Sequence, residues 1–225
     1  MAEILGGYGD ALILAGRGDE AKAPLDEALG LSRELKNDGL VGQTLGFQGD
    51  ALFYQGNYKA AHALYDQALQ AATRSKESER ILLAKIALAQ VQVREKSGGS
   101  AISNLKGLIE KADEASLKYS STEAGIYMAE AMMQGHDNAH ARQELQRDLP
   151  KADKLGQQAL SAHAHYLLAG IARESNDTAE SQNNYRLVKQ TLETMSKDPG
   201  AEKLLKRADM KAMYDDSNHW LQGGK

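Results

Sequence analysis

Apolar and small residues recur at helical spacing along almost the whole chain. In one well-marked stretch, Leu45, Leu52 and Phe53 with neighbouring small residues form one stripe. Ala61, Leu64, Tyr65 and Ala68 form a second at the spacing of one helix face. Between them stands Gln55-Gly56-Asn57, with Gly suited to the left-handed residue that ends a helix. Stripe, turn and stripe return with turns at Gly16-Arg17-Gly18, Ser97-Gly98-Gly99, Gly135-His136-Asp137 and Ser175-Asn176-Asp177. Breaks between these units fall at Asn37-Asp38-Gly39, Ser75-Lys76-Glu77, Tyr119-Ser120-Ser121 and Leu155-Gly156. The pattern predicts five helix pairs. Asp177 with Glu180 has the form of an N-terminal capping box. Pro150 is expected to kink or end its helix near Asp148-Leu149. Asp198-Pro199-Gly200 predicts one more helix, with Pro in its first turn, carrying Leu204, Leu205, Ala208, Ala212 and Met213 and ending near Trp220.

The pairs repeat every 40 residues. Ala21, Ala61, Ala101, Ala141 and Ser181 are small in every register, and Leu25, Tyr65, Leu105, Leu145 and Tyr185 are large and apolar. Gly9, Gly49, Ala89, Ala129 and Ala169 make a third column, again small. Packing explains the columns: antiparallel helices joined by a short turn approach closely only where Gly or Ala sits at the crossing. The units run over residues 2–38, 39–77, 78–119, 120–156 and 157–197, and 198–222 are expected to form a C-terminal capping helix. Such a chain is expected to be an elongated stack in which each unit buries its face on its neighbours, without a central core.

Composition agrees with an all-α class. Of 225 residues 34 are Ala, aromatics make up 5% and Pro only 3, whereas a β-sandwich would carry more Val, Thr and aromatic residues. The net charge of −4 has no basic stripe, which argues against nucleic acid as partner. There is no Cys, so disulfides, thiolate metal sites and thiol nucleophiles are excluded. No run approaches the ~18 apolar residues of a membrane span, and direct membrane insertion is not expected.

On Gly49, Gly56, Tyr58, Ala61, Tyr65 and Ala68, the second unit resembles the tetratricopeptide repeat; the first follows through Gly9, Ala21, Leu25 and Ala28. In later units Lys96 replaces the turn Gly, and Leu108, Asp148 and Val188 replace the last Ala. The 40-residue spacing is similar to an extended variant found in bacterial signalling proteins. The resemblance implies a right-handed superhelix of helix pairs, its concave face lined by the first helix of each pair. It also implies a non-catalytic scaffold that binds a protein or peptide. A second implied reading is a regulatory or sensing region of a larger signalling protein, such as a serine/threonine kinase or transcription activator.

On the family pattern the inward positions include Glu3, Asp10, Gln43, Asp50, Gln90, Glu123, Glu130, His163, Tyr166 and Arg173, with Arg94 one place off but long enough to reach. The Lys, Asn and Arg clamp that holds a carboxylate terminus in well-known members is replaced in the first two units by Gly6, Asp10, Gln43, Gly46 and Asp50. This acidic lean favours a basic or neutral segment. His136 with His140, and His163 with His165, are the candidate metal ligands by type, but the first lies in a turn and residues two apart face different sides of a helix. No metal and no cofactor are expected. No phosphate loop, nucleophile elbow or zinc-protease motif is present, so an enzyme is not expected. Met1 opens directly onto the repeat with no polar cap before Leu5, which is expected either of the tail end of a longer array or of two copies paired through the N-terminal helical face. A cytoplasmic location is expected, or an extracytoplasmic one if the array belongs to a membrane-tethered kinase.

Overall fold

The computed structural model describes residues 1–96 and 98–224. Ten helices make five pairs: α1 (Ala2–Leu14) with α2 (Gly18–Glu34), α3 (Asp38–Phe53) with α4 (Tyr58–Ser75), α5 (Ser78–Arg94) with α6 (Gly98–Glu114), α7 (Lys118–Gln134) with α8 (Asn138–Lys154), and α9 (Gln158–Glu174) with α10 (Thr178–Met195). A 3-10 turn at Leu204–Lys206 and helix α11 (Ala208–Leu221) follow, and there is no strand among the described residues. Each helix packs on its neighbours in sequence, and the odd-numbered helices α1, α3, α5, α7 and α9 also touch one another along one face of the stack.

The junctions show a rhythm finer than the 40-residue pattern. Left-handed backbone falls at Gly16, Lys36, Gly56, Lys76, Lys96, Ser116, His136, Gly156 and Asn176, one every 20 residues. The residue after it returns its N–H five places back: Arg17 to the Leu12 carbonyl at 2.8 Å, Asn57 to Leu52 at 2.9 Å, Asp137 to Met132 at 2.9 Å. This is the Schellman ending, which satisfies carbonyls the helix leaves free. The same residue then starts the next helix. Asn37, Asn57, Asp137 and Asp177 accept from the N–H three residues on, so one short turn ends a helix and caps its successor. Six of the nine left-handed residues carry a side chain and bear the steric cost of that conformation, roughly 1–2 kcal/mol each. Ser116→Gly is therefore expected to raise stability by about 1 kcal/mol, read as a higher urea midpoint with an unchanged slope.

Three sequence expectations shift. The break between units three and four lies at Ser116-Leu117, where the Leu117 N–H reaches the Ala112 carbonyl at 2.8 Å, so Tyr119-Ser120-Ser121 belongs to the first turns of α7. Helix α8 runs through Pro150 to Lys154. Leu145 and Ala152, on either side of the proline, are fully buried, and that packing holds the helix together despite the lost N–H. At the C-terminus, Pro199 does not open a helix. Gly200 is left-handed and Arg207 extended, so α11 starts only at Ala208. Of the turn expected at Ser97-Gly98-Gly99, Ser97 lies outside the described residues, while Gly98 opens α6.

All three repeat columns are buried. A Cβ on Gly9 would lie 2.5 Å from Leu25, and one on Gly49 2.5 Å from Tyr65, so two columns meet at each crossing. Unit four modifies the theme. Asp148 stands where units one and two have Ala, is 1% exposed, and holds Arg147 at 2.9 Å and Lys151 at 2.8 Å. Its carboxylate fills space that Gly125 on α7 leaves open.

The stack is not simply elongated. The segment between α10 and α11 comes back to the ends of α1 and α3. Ala208 donates its N–H to the Tyr54 carbonyl at 2.8 Å, Lys203 pairs with Glu20 at 2.8 Å, and Arg207 reaches the Leu14 carbonyl at 3.4 Å. Leu204 is buried with Val188, Leu192, Met210 and Met213, while the backbone at Lys203 lies against Gly16. Curvature thus brings the segment that follows the last unit onto the first two.

Candidate functional site

The inner face of this closed curve surrounds a cavity of about 720 Å³. Most of its wall comes from the odd-numbered helices, each of which presents one side inward because its opposite side packs on the even-numbered partner. Asp10 from α1, Gln43 and Asp50 from α3, Gln90 from α5 and Glu123 from α7 all line it. Five of the eleven positions singled out from the sequence therefore come together in one place.

Their electrostatics are unusual for a surface. Asp50 accepts a hydrogen bond from the Tyr65 hydroxyl at 2.7 Å. Burial nevertheless pushes its carboxyl up to about 7, with the charges of Asp10 and Glu123 acting in the same direction. Burial likewise pushes Glu123 up to about 7, against the pull of Gln90 and Arg207, and Asp10 is also raised by burial. Both Asp50 and Glu123 border the cavity yet are surrounded by protein on its other sides, which removes most of the water that would stabilise their charge. The Glu123 charge and burial together hold the Tyr119 phenol above its ordinary value.

Of the other six, Glu3 is exposed on α1, and the remaining five have different neighbours. Arg94, Glu130 and His163 join α5, α7 and α9 in one buried chain: Arg94 donates to Glu130 at 2.7 Å, and His163 Nε2 stands 3.1 Å from its other oxygen. Arg94 also lies 5.1 Å from the Tyr127 ring. Burial pushes Glu130 up, but Arg94 and His163 outweigh it and hold the carboxyl below its ordinary value. Tyr166 donates to Asp216 at 2.5 Å, and Arg173 stacks over Trp220 at 4.2 Å, so both are engaged by α11. His165 bonds Asn184 at 2.8 Å, His140 bonds Asp137 at 2.8 Å, and His136 occupies a left-handed turn. Among the described residues no three side chains are grouped as metal ligands.

Sequence reading missed the aromatic wall and two cations, of which Arg80 is paired with Glu77. Phe47, Phe53, Tyr54 and Tyr119 line the cavity. Arg207 enters from the returning C-terminal segment, stacks over Tyr54 at 3.6 Å and pairs with Asp209 at 2.7 Å. The aromatics stand beside the inward positions and could have been taken from the same helix faces. Nothing in a 40-residue period could place Arg207, which lies beyond the repeats.

Residues 1–74 match the family model of the tetratricopeptide repeat. No curated protein sequence gives a significant match. Among solved structures, BtubC (BKLC) from P. vanneervenii is similar with a TM-score of 0.57 at 15% identity, covering 89% of each chain. A putative kinesin light chain of Podosopora anserina with nearly identical TPR-like repeats is similar with a TM-score of 0.56 at 13% identity, covering 87% of this chain and 97% of that one. At these identities the likeness is one of fold. Residues 1–74 are thus similar to tetratricopeptide repeats, and the chain as a whole shares the helical-repeat fold of these structures.

Proposed function

We propose that the protein is a non-catalytic binding scaffold that holds a segment of a partner protein in the cavity of its concave face. The observation that carries this reading is the convergence of Asp10, Gln43, Asp50, Gln90 and Glu123 from four different helices on one partly open cavity of about 720 Å³. That volume is within the range of ligand pockets, roughly 300–1,000 Å³, and its wall mixes aromatic surface with a few convergent polar groups. Tetratricopeptide folds generally mediate protein–protein interaction, and a preformed concave face needs little ordering to bind.

Charge reversal tests the reading. Glu130 is unsuited to it, since its reversal would break the buried chain with Arg94 and His163. Asp50→Lys combined with Glu123→Lys is expected to abolish affinity capture of the partner from a lysate of the source organism, read by quantitative mass spectrometry. Glu27→Lys with Glu34→Lys on the exposed side of α2 controls for the same change of net charge, and circular dichroism of each variant reports its folding. Capture that survives the reversal would move the site off the concave face.

A further inference from the structure

Residues 198–207 join α10 to α11, and they also bridge the last unit to the first two. Their two docking points lie one repeat apart. Arg207 donates to the Leu14 carbonyl at 3.4 Å, and Ala208, which follows the segment, donates to the Tyr54 carbonyl at 2.8 Å. These are equivalent places at the C-terminal ends of α1 and α3, where carbonyls are left over and the helix dipole is negative. Lys203 on Glu20 and the Arg207 guanidinium over the Tyr54 ring complete the contact. The junction glycines mark the same two points. Of the five left-handed residues that end an odd-numbered helix, Gly16 and Gly56 are glycine, whereas Lys96, His136 and Asn176 are not. A Cβ on Gly16 would stand 2.1 Å from the Lys203 carbonyl oxygen, and one on Gly56 would touch Ala208 at 3.7 Å. Glycine at the first junction is therefore a requirement of docking, beyond the left-handed backbone that Lys96 and His136 also adopt.

The two sides of the segment are held differently. Leu204 packs with Val188, Leu192, Met210 and Met213, a cluster without any residue of α1 or α3. Toward α1 and α3 the hydrogen bonds and charges listed above make the seam, and the Lys203–Glu20 pair is half-exposed, so water replaces it at little cost. Arg207 keeps its partner Asp209, which moves with it, so parting the seam leaves no buried charge alone. An apolar anchor on one side and a polar, hydrated seam on the other let the seam part while the anchor stays. The seam also completes the cavity wall. The lining runs from Asp10 and Leu14 of α1 round the odd-numbered helices to Gln157, Met195 and Arg207, so Leu14 and Arg207 are the two ends of that circuit and meet each other.

We propose that residues 198–207 are a latch on the concave face. Docked on α1 and α3, they complete its wall; released, they part the last unit from the first two and admit a segment of the partner. This rests on the concave-face reading and adds how that face is entered.

Native-state hydrogen exchange of the full chain reads the latch without any substitution, because the Ala208 N–H opens α11 and is bonded across the seam to Tyr54. It is expected to exchange roughly a hundredfold or more faster than the amides of Val188 and Leu192 in α10, at a rate that denaturant hardly changes. Exchange of Ala208 in step with α10, with the same denaturant dependence, overturns the latch. A released variant then reads the cavity. Arg207 already has the extended backbone, φ −62° and ψ 131°, that a following proline demands, and position 208 is the first of its helix. Ala208→Pro therefore removes the seam N–H and leaves α11 intact, and Lys203→Glu removes the ion pair. The chain has no Cys, so Leu83→Cys places a single thiol in the cavity wall. Its labelling by a bulky dye maleimide, relative to a small methanethiosulfonate, is expected to rise roughly tenfold on release. The same ratio at Glu27→Cys, on the exposed side of α2, should stay constant, and circular dichroism should show the parent's helix content. An unchanged ratio at Leu83→Cys in the released chain overturns the gating. Either failure leaves the concave-face reading to its own charge-reversal test, which does not depend on the latch.

Discussion

Replacing Gly49 by leucine is expected to be the most damaging single change in the array. A Cβ at this position already lies 2.5 Å from the Tyr65 ring, well inside contact distance. Tyr65 cannot retreat, since it is 2% exposed and its hydroxyl is tied to Asp50 at 2.7 Å. Overpacking of a tight core costs typically 1–3 kcal/mol, and a side chain with three further carbons at a helix crossing belongs at about 3 kcal/mol or above. Gly49→Ala is milder, because the gain in helix propensity, about 1 kcal/mol, offsets part of the clash. Unit three accommodates Ala89 and Leu105 in the matching places, both buried. The double change Gly49→Ala with Tyr65→Leu reproduces that pair and is expected to cost less than the sum of its parts, the mark of two residues in contact. Chemical denaturation of the four proteins measures the coupling, and strict additivity would separate the two columns.

The reason this pair could be named from the sequence is that column contacts are local and periodic. A position 16 residues after Gly9 or Gly49 meets it because a turn of fixed length reverses the chain between them, and size classes alone reveal that. The left-handed residues were less visible. Gly16, Gly56 and Gly156 announce themselves, but Lys36, Lys76, Lys96 and Ser116 have no conformational signature of their own and are forced left-handed by the helices on either side. The inner face was half legible for a similar reason. Asp10, Asp50, Gln90 and Glu130 occupy one 40-residue register, and Gln43, Leu83, Glu123 and His163 another. Early members of both registers line the cavity, whereas Glu130 and His163 meet each other and are buried. Periodicity identifies the side of the helix; superhelical curvature, which no single unit encodes, decides where along that side the open space ends. The closure through Lys203, Arg207 and Ala208 is less local still, joining residues more than 150 positions apart.

Curvature also gives the cavity carboxylates a measurable signature. Asp50 and Glu123 hold their protons up to about pH 7 in the folded protein, while in the unfolded chain they release them near pH 4. Between those limits the folded state binds the extra protons, so stability is full below about pH 4 for these groups and declines as pH rises toward 7. Glu130 acts in the opposite sense: held below its ordinary value, it contributes stability at neutral pH and loses it as pH falls through its folded value. Stability is therefore expected to peak on the mildly acidic side of neutrality. Asp50→Asn with Glu123→Gln removes the declining limb but leaves the acid one, because Glu130 keeps its partners Arg94 and His163. The Asn side chain can still accept from Tyr65, so packing is preserved. Solvent in the cavity screens both groups, so the gain at pH 8 is expected on the order of 1–2 kcal/mol per residue, well short of the full shift. At pH 5 the double variant and the parent should melt at nearly the same temperature, and at pH 8 the variant should be the more stable. Parent stability that stays flat from pH 5 to 8 would mean that Asp50 and Glu123 titrate as ordinary surface acids, and the case for their burial in the cavity wall would fall with it.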